Sequence, residues 1–448
     1  MARRDLEGIV MKDRPSIYPI LIVNFVGTLG FSIVLPFLVF LVKRWGGNAL
    51  VYGLMGSTYS VFQLVGAPIL GRWSDRYGRR RILLLSQLGT LTSWLVFLFA
   101  FAVPVVSLVS VTSSVVGQFA VTLPLIVMFV ARALDGLTGG NVSVANAYLA
   151  DITDDDRRSA DFGMMSVSGN LGFILGPAIA GVLSGTSWGE RLPVLGALAI
   201  SLVAVLIIAF KLPESAPSPL ERDPEAAHVR KMFGQEARPC FEIQGTRAIT
   251  MAGILRLEGV PVLLAVYFLV MLGFNLYYVA FPVHAAESLH WSARQVGAYF
   301  SILSLSMVVV QGPILSRASK RVSDAALSVL GSLILATSFV FFLSKQGSVL
   351  YMGAMVLALG NGLMWPSVVS MLSKAAGERH QGAVQGFASG LGAAASILGL
   401  LTGGILFARL EARIFLVSAA TILCVFVLAL VLWRSPRENR RPGSSPGG

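Results

Sequence analysis

Residues 82–131 read ILLLSQLGTLTSWLVFLFAFAVPVVSLVSVTSSVVGQFAVTLPLIVMFVA, fifty positions in a row without Asp, Glu, Lys or Arg. As one α-helix this stretch would be about 75 Å long at about 1.5 Å per residue. The hydrocarbon core of a bilayer is only about 30 Å thick. The stretch therefore crosses, turns and returns. The turn is expected around Pro104 to Gln118, and the returning helix continues through Arg132 and Asp135 to Ala150. Ten more uncharged stretches flank it: 15–42, 45–71, 162–189, 192–210, 259–286, 295–316, 325–344, 346–373, 380–408 and 414–433. Eleven stretches, one of them double, give twelve spans. The fold class expected is all-α integral membrane, twelve transmembrane helices in two six-helix halves.

Composition supports this parse. Of 448 residues, 55% are apolar and 13% charged, with a mean hydropathy of +0.74. Soluble proteins carry about 25% charged residues. The values exclude a disordered chain, a disulfide scaffold and a water-soluble enzyme. The net charge is +12, but the basic residues sit in short clusters between the spans, which is a topology pattern rather than a nucleic-acid surface. With the N-terminus cytoplasmic, 27 of the 35 Lys and Arg fall on the cytoplasmic side and 7 opposite. Both termini are thus expected in the cytoplasm, in a cell (inner) membrane. Met1 to Arg14 is polar and charged, unlike a cleavable signal. Cys240 and Cys424, one in a polar loop and one in a span, are not expected to pair.

The longest polar interruption sets the domain organisation: N-tail 1–15, first half 16–211, linker 212–258, second half 259–433 and C-tail 434–448. The linker, rich in Pro and charge, reads as a cytoplasmic tether with a short amphipathic helix over Arg247 to Leu257. The Gly/Ser/Pro-rich tail is expected to be disordered. The halves repeat. Pro68, Ile69, Leu70, Arg72 and Ser74 recur as Pro313, Ile314, Leu315, Arg317 and Ser319, at a constant offset of 245 residues. Matching positions in two six-span halves mark secondary-transporter architecture.

The loop after span 2 holds Gly71, Asp75, Arg76, Gly78, Arg79 and Arg80. Glycines let the chain turn. A fixed carboxylate can cap a helix N-terminus, and arginines can pair with acids of adjacent loops, Asp151 among them. Such contacts would hold in one conformation and break in another, as a latch does. The plain alternative is a solvated basic loop. In span 5, Gly169, Gly172, Gly176 and Gly181 expose backbone for close helix contact, and Pro177 removes a helical hydrogen bond and permits a bend.

These stretches resemble the major facilitator superfamily. Gly71-x3-Asp75-Arg76-x-Gly78-Arg79-Arg80 looks like its signature between the second and third helices, which braces the outward-facing state. The resemblance places the partner near Gln381 to Gly386 at the start of span 11. The second copy, Arg317 to Asp324, is degenerate, with Lys320 in place of the acid. Arg132-Ala-Leu-Asp135-Gly136-Leu-Thr-Gly139-Gly140 is similar to the span 4 motif of proton-coupled members. Gly169 to Gly181 is similar to the span 5 motif of drug antiporters. Ala147 to Asp154, Phe162 to Ser166, His290-Trp291, Gln381-Gly382 and Gln385-Gly386 resemble the tetracycline-type drug:proton antiporters. That group carries acids within spans 1, 3 and 9, which this chain lacks. Gly27 and Ser93 stand at the first two positions, so tetracycline itself is not the expected substrate.

Asp135 is the one acid deep within a span, and Arg132 is its counterpart at i, i+3, on the same helix face. Intramembrane charges face a cavity and mark ion or substrate paths. Arginine favours the charged carboxylate and burial the neutral one, so separating the pair would load or release a proton. The alternative is a static neutralising pair. Asn24, Tyr59, Gln63, Asn170, Asn275, Tyr278, Asn361 and Trp365 are the candidate pocket residues; Gln311 is a further polar group of this kind. Each alone is more often a helix-to-helix hydrogen bond or packing residue. His284, Glu287 and His290 read as solvated at the outer end of span 7, as does the acidic run Asp154 to Asp156.

The expected function is secondary active export of amphipathic small molecules by proton antiport, as a monomer in the lipid bilayer. A metabolite facilitator or importer of the same fold is the runner-up, and a transport-dead scaffold follows. With four His, none at ligand spacing, no metal or cofactor is expected and no enzyme activity.

Overall fold

The computed structural model describes residues 16–113, 117–139, 141–153, 158–184, 186, 188–215 and 251–434. Both tails, the linker over 216–250, the run Asp154–Asp156 and Cys240 lie outside the described residues. The elements, in order, are α1 (Tyr18–Ser32), α2 (Leu35–Arg44), α3 (Ala49–Tyr77), α4 (Arg79–Phe99), β1 (Ser107–Ser113) and β2 (Gly117–Thr122). Next come α5 (Leu123–Thr138), α6 (Asn141–Ile152), α7 (Arg158–Ser184), α8 (Arg191–Phe210) and the short α9 (Met251–Ile254). The second half holds α10 (Val260–Glu287), α11 (Ala293–Val309), α12 (Leu315–Ala318), α13 (Asp324–Phe341), α14 (Gly347–Leu410) and α15 (Ile414–Arg434).

Nine stretches among the described residues are long and apolar enough to cross a membrane, against the twelve expected. Three local causes account for the difference. The first span is interrupted at Ile33 and Val34, because Pro36 has no N–H to offer the Ser32 carbonyl. The polar and small residues of α3 dilute its hydropathy. Ala383–Arg434 is one stretch that holds two helices on either side of the turn Glu411–Arg413. Within α14, Gly377 at φ 65° breaks the helix between the expected spans 10 and 11.

The turn in the fifty-residue stretch is a β-hairpin rather than a plain loop. Its β-branched run suits an extended chain. Ser110 pairs with Ala120 and Val111 with Phe119. The Ala120 N–H donates to Gly46 O at 2.8 Å and Thr122 Oγ1 to Trp45 O at 2.7 Å, fixing the hairpin on the α2–α3 connection.

Glycines let backbones meet in both halves. In the second, a Cβ on Gly331 or Gly360 would overlap the backbone of the facing helix. The first has the same device. A Cβ on Gly66 of α3 would overlap the backbone of Leu137, and one on Gly89 of α4 would overlap the Thr138 side chain. The second half has an aromatic cluster at its outer end. Phe281 stacks on Tyr299 at 3.9 Å, and Tyr277 and Phe415 both pack on Phe342. Gly66→Val is expected to destabilise the protein by about 1–3 kcal/mol through overpacking, read as a lowered melting temperature in detergent.

The halves join toward their outer ends. Gly181 of α7 lies against Gly297 of α11 backbone to backbone, and Gly53 of α3 against Leu400 and Gly404 of α14. Ser57 Oγ donates to Ile397 O at 3.3 Å, Ser301 Oγ to Ala178 O at 3.2 Å, and Lys43 pairs with Glu287 at 3.7 Å. The opposite ends show no such closure among the described residues. A Cβ at Gly71, Gly312, Gly386 or Gly390 would meet nothing within 4 Å. The first half keeps a core of its own there, including Leu70, Leu83, Tyr148 and Leu149. With the basic loops taken as cytoplasmic, this is a molecule closed outside and open inside.

Candidate functional site: a buried ion pair and a basic loop

Pro124 in the first turn starts α5, where its missing N–H costs nothing. Eight and eleven residues on, Arg132 and Asp135 share one face. Both are buried, at 3% and 6% exposure, and Arg132 Nη1 donates to Asp135 Oδ2 at 3.3 Å. The guanidinium lies over the Tyr59 ring of α3, 4.6 Å from its centroid, a cation–π contact. The side chains of Thr90 and Ser93 on α4 lie near the Asp135 carboxylate, and Ser93 Oγ donates to Thr90 O at 2.7 Å. Gln63 Nε2 donates to Tyr59 Oη and to Gly139 O, both at 3.1 Å. A Cβ on Gly136 would overlap the Tyr59 carbonyl, so the glycine is what lets α3 approach the pair. The chemistry available here is a carboxylate whose charge is balanced by one arginine inside a spanning helix.

At the end that carries the basic loops, Arg79 gathers three partners from the first half. It donates to Asp75, to Ser74 Oγ at 2.7 Å and to Asp151 Oδ2 at 3.0 Å. Ser215 Oγ also donates to Asp151, at 3.1 Å. Arg80 caps α8 through the carbonyls of Ile208 and Ala209, satisfying acceptors that a helix end leaves open. Gly78 sits at φ 101°, a region closed to most side chains, and turns the chain from α3 into α4. Asp75 itself is 64% exposed. Its expected partner at Gln381 and Gly382 lies outside the residues whose side chains are described. The adjoining Gly386 has open space before it. Arg76 rests over the Tyr77 ring at 5.5 Å.

The family model described as Major Facilitator Superfamily matches residues 20–257 and 263–448. The chain belongs to that superfamily. It is 26% identical over 350 residues to tetracycline resistance protein class C of Escherichia coli, covering 78% of each chain. It is 24% identical over 440 residues to multidrug resistance protein 2 of Bacillus subtilis (strain 168), covering 96% of this chain and 98% of that one. The crystal structure of the human organic anion transporter MFSD10 (TETRAN) shares the fold. Its TM-score is 0.63 at 22% identity, over 92% of this chain and 98% of that one. A multi-pass membrane protein of the superfamily fold is what these matches and the helices establish.

Among the pocket residues, the superfamily chain uses the amides between helices. Asn24 Nδ2 donates to Met165 O and Ser168 Oγ, both at 2.9 Å, tying α1 to α7. Asn275 Nδ2 donates to Ser396 Oγ at 3.1 Å, tying α10 to α14. Asn361 Nδ2 faces Met307 Sδ at 3.8 Å, and Gln311 faces the same sulfur at 3.9 Å. Trp365 packs on Tyr267 at 4.9 Å. Tyr278 meets Phe173 of the other half at 6.2 Å. Asn170 is exposed. Tyr59 and Gln63 are the two that join the ion pair; the others divide between the halves.

The span 5 glycines pack as expected. A Cβ on Gly172 or Gly176 would overlap α1, Gly169 lies near Asn24, and Gly181 faces the other half. The helix α7 runs unbroken through Pro177. His284 departs from expectation. It is 2% exposed rather than solvated, because Phe407 and Phe415 close over the ring. Glu287 is partly buried against Lys43. Thr90 and Tyr52 are site residues that the sequence reading missed. Tyr52 is buried within electrostatic range of both Arg132 and Tyr278. A signal existed for the first: Ser86, Thr90 and Ser93 form a hydroxyl stripe at i, i+4, i+7 along the helix.

Proposed function

We propose that this protein is a secondary active exporter that expels amphipathic, drug-like small molecules by proton antiport. The observation that carries the reading is the buried Arg132–Asp135 pair within a spanning helix, set among Tyr59, Thr90 and Ser93. Relatives named for tetracycline and multidrug resistance support the direction and the substrate class. The acid that the drug-antiporter resemblance places on span 3 is absent, and Ser93 stands there instead. Asp135 reaches the same spot from the neighbouring helix and takes over as the proton carrier. Arg132 holds the carboxylate while it is charged, and Tyr59 holds Arg132 when it is not.

Transport proceeds by alternating access. In the inward-open form the substrate enters between the halves from the cytoplasm or inner leaflet, past Asn170, Tyr278 and Trp365. Closure of the cytoplasmic ends then engages the Asp75 latch, and the glycine contacts at the outer ends release. The span 5 helix flexes near Pro177 during that step. Twelve crossings, with both termini in the cytoplasm of a bacterial inner membrane, fit the distribution of Lys and Arg.

The test is accumulation of fluorescent cations and antibiotics in efflux-deficient cells. Expression of the protein lowers accumulation at least about threefold for one or more compounds, and a protonophore abolishes the difference. Export that survives the protonophore would refute proton antiport. No change for any compound would favour the metabolite facilitator.

A further inference from the structure

Between the end of α4 at Phe99 and the start of α5 at Leu123 lie 23 residues, and none of them is Asp, Glu, Lys or Arg. This is the longest connection on the side opposite the basic loops. The other five on that side carry Lys43 and Arg44, Glu190 and Arg191, Glu287 and Arg294, Lys345, and Glu411 and Arg413. A connection standing in water beside such neighbours gains nothing by excluding charge.

The hairpin it forms has one covered edge and one open edge. β2 lies along the α2–α3 connection. Thr122 donates to Trp45 and Ala120 to Gly46, and a Cβ on Gly117 would stand 3.4 Å from Asn48 Nδ2. β1 pairs with β2 alone among the described residues. Its far edge carries none of the charges that ordinarily guard a strand in water. Val105, Val106, Leu108 and Val109 are instead 61%, 48%, 53% and 55% exposed. The ladder slips between Ser107 and Val109, which leaves Leu108 as the extra residue. A bulge of this kind re-aims side chains, so two adjacent apolar residues stand exposed together. Leu85, Leu88, Leu95 and Phe99 form an exposed apolar stripe on one face of α4, the face that a spanning helix turns to lipid. The patch on β1 continues that stripe past the helix end. After Val109, the exposed residues described on the hairpin are Ser110, Thr112 and Gln118.

We propose that β1 is seated in the headgroup region of the adjoining leaflet, with Val105, Val106, Leu108 and Val109 as its anchors, and that the hairpin ties the α2–α3 connection to the membrane surface. The backbone sets the depth. Unpaired strand N–H and C=O groups are not tolerated in hydrocarbon. Headgroups and their water satisfy them, while the apolar side chains reach the acyl boundary as those of an interfacial helix do. The connection that is tied flanks the closure between the halves. Lys43 at the end of α2 pairs with Glu287, and Gly53 in α3 meets Gly404. The outer end of the first half is thus braced by lipid on one flank and by the second half on the other.

Single-cysteine variants test it, in a background with Cys240 and Cys424 changed to Ser. Val106→Cys, Val109→Cys and Gln118→Cys are each labelled with an environment-sensitive nitrobenzoxadiazole dye and reconstituted in vesicles of phosphatidylcholine and phosphatidylglycerol. Labels at 106 and 109 are quenched at least about threefold more by lipid carrying a nitroxide near the headgroup end of its chain than by aqueous iodide, and the label at 118 shows the reverse order. Adding Leu108→Asp lowers the nitroxide quenching at 106 at least about twofold, because the charge draws the strand toward water. Iodide quenching at 106 and 109 as strong as that at 118 overturns the placement. Shielding from both quenchers overturns it as well, and cross-linking of Val109→Cys between two copies would then identify β1 as a dimer edge. None of these readouts needs a transported compound, so the anchor and the export reading stand or fall separately.

Discussion

Asp135→Asn is expected to reduce pH-gradient-driven export at least about twentyfold while leaving substrate binding within about threefold of the parent, since an intramembrane carboxylate serves the ion path. The amide keeps the shape of the carboxyl, and its oxygen can still accept from Arg132. What it cannot do is take up and release a proton. Removing one member of a buried pair also leaves the other charge uncompensated, which in general is costly. Here the Tyr59 face offsets part of that cost by holding the guanidinium at 4.6 Å. Asp135→Glu serves as the companion variant, retaining the titrating group and expected to retain measurable export. Binding is followed by fluorescence of a bound cation in detergent, and flux by proteoliposomes with an imposed gradient. Full uphill transport by Asp135→Asn would reduce the pair to a structural neutralisation.

Gly181→Leu carries the second large effect. Gly181 and Gly297 meet without room for a methyl group on either side, since a Cβ on one would overlap the backbone of the other. A leucine cannot be accommodated by moving a flexible side chain, because backbone faces it. The outer ends then fail to close, and export falls at least about twentyfold, the fate of a cycle held in one state. The protein still folds, because Gly181 packs between the halves rather than within one. An outward-accessible cysteine at position 301 would label faster in this variant than in the parent. Unchanged labelling with normal export would show that the outer closure does not depend on this contact.

Much of the architecture could be read without coordinates. The fifty-residue run, the 245-residue repeat and the Lys/Arg bias each constrain the whole chain, because the thickness and polarity of a bilayer act on long segments. Arg132 and Asp135 were equally legible: two opposite charges at i, i+3 in an apolar span have few alternatives to facing one another. The hairpin was not. Within an uncharged run, Val and Ser in extended conformation carry the same hydropathy as the same residues in a helix. Nor was the burial of His284, since Phe407 and Phe415 arrive from far along the chain to cover it. The amides of Asn24 and Asn275 were identified as polar groups in spans, but whether an amide faces a pocket or a neighbouring helix depends on packing that spacing does not encode. Asp75 reads from the sequence as a candidate latch residue, but its exposure depends on how the halves sit rather than on its sequence.

Glycine seams and ring clusters leave evolution unequal room. Where backbone touches backbone, as at Gly66 and Gly172, any side chain intrudes on a neighbour that cannot yield. Such positions are closed to drift. Ring clusters such as Phe281, Tyr299 and Phe342 tolerate volume-conserving exchanges, which usually cost less than about 1.5 kcal/mol. Under changing chemical pressure, lineages descended from this chain would diversify chiefly through the ring clusters, while the glycine seams of both halves are inherited almost unaltered.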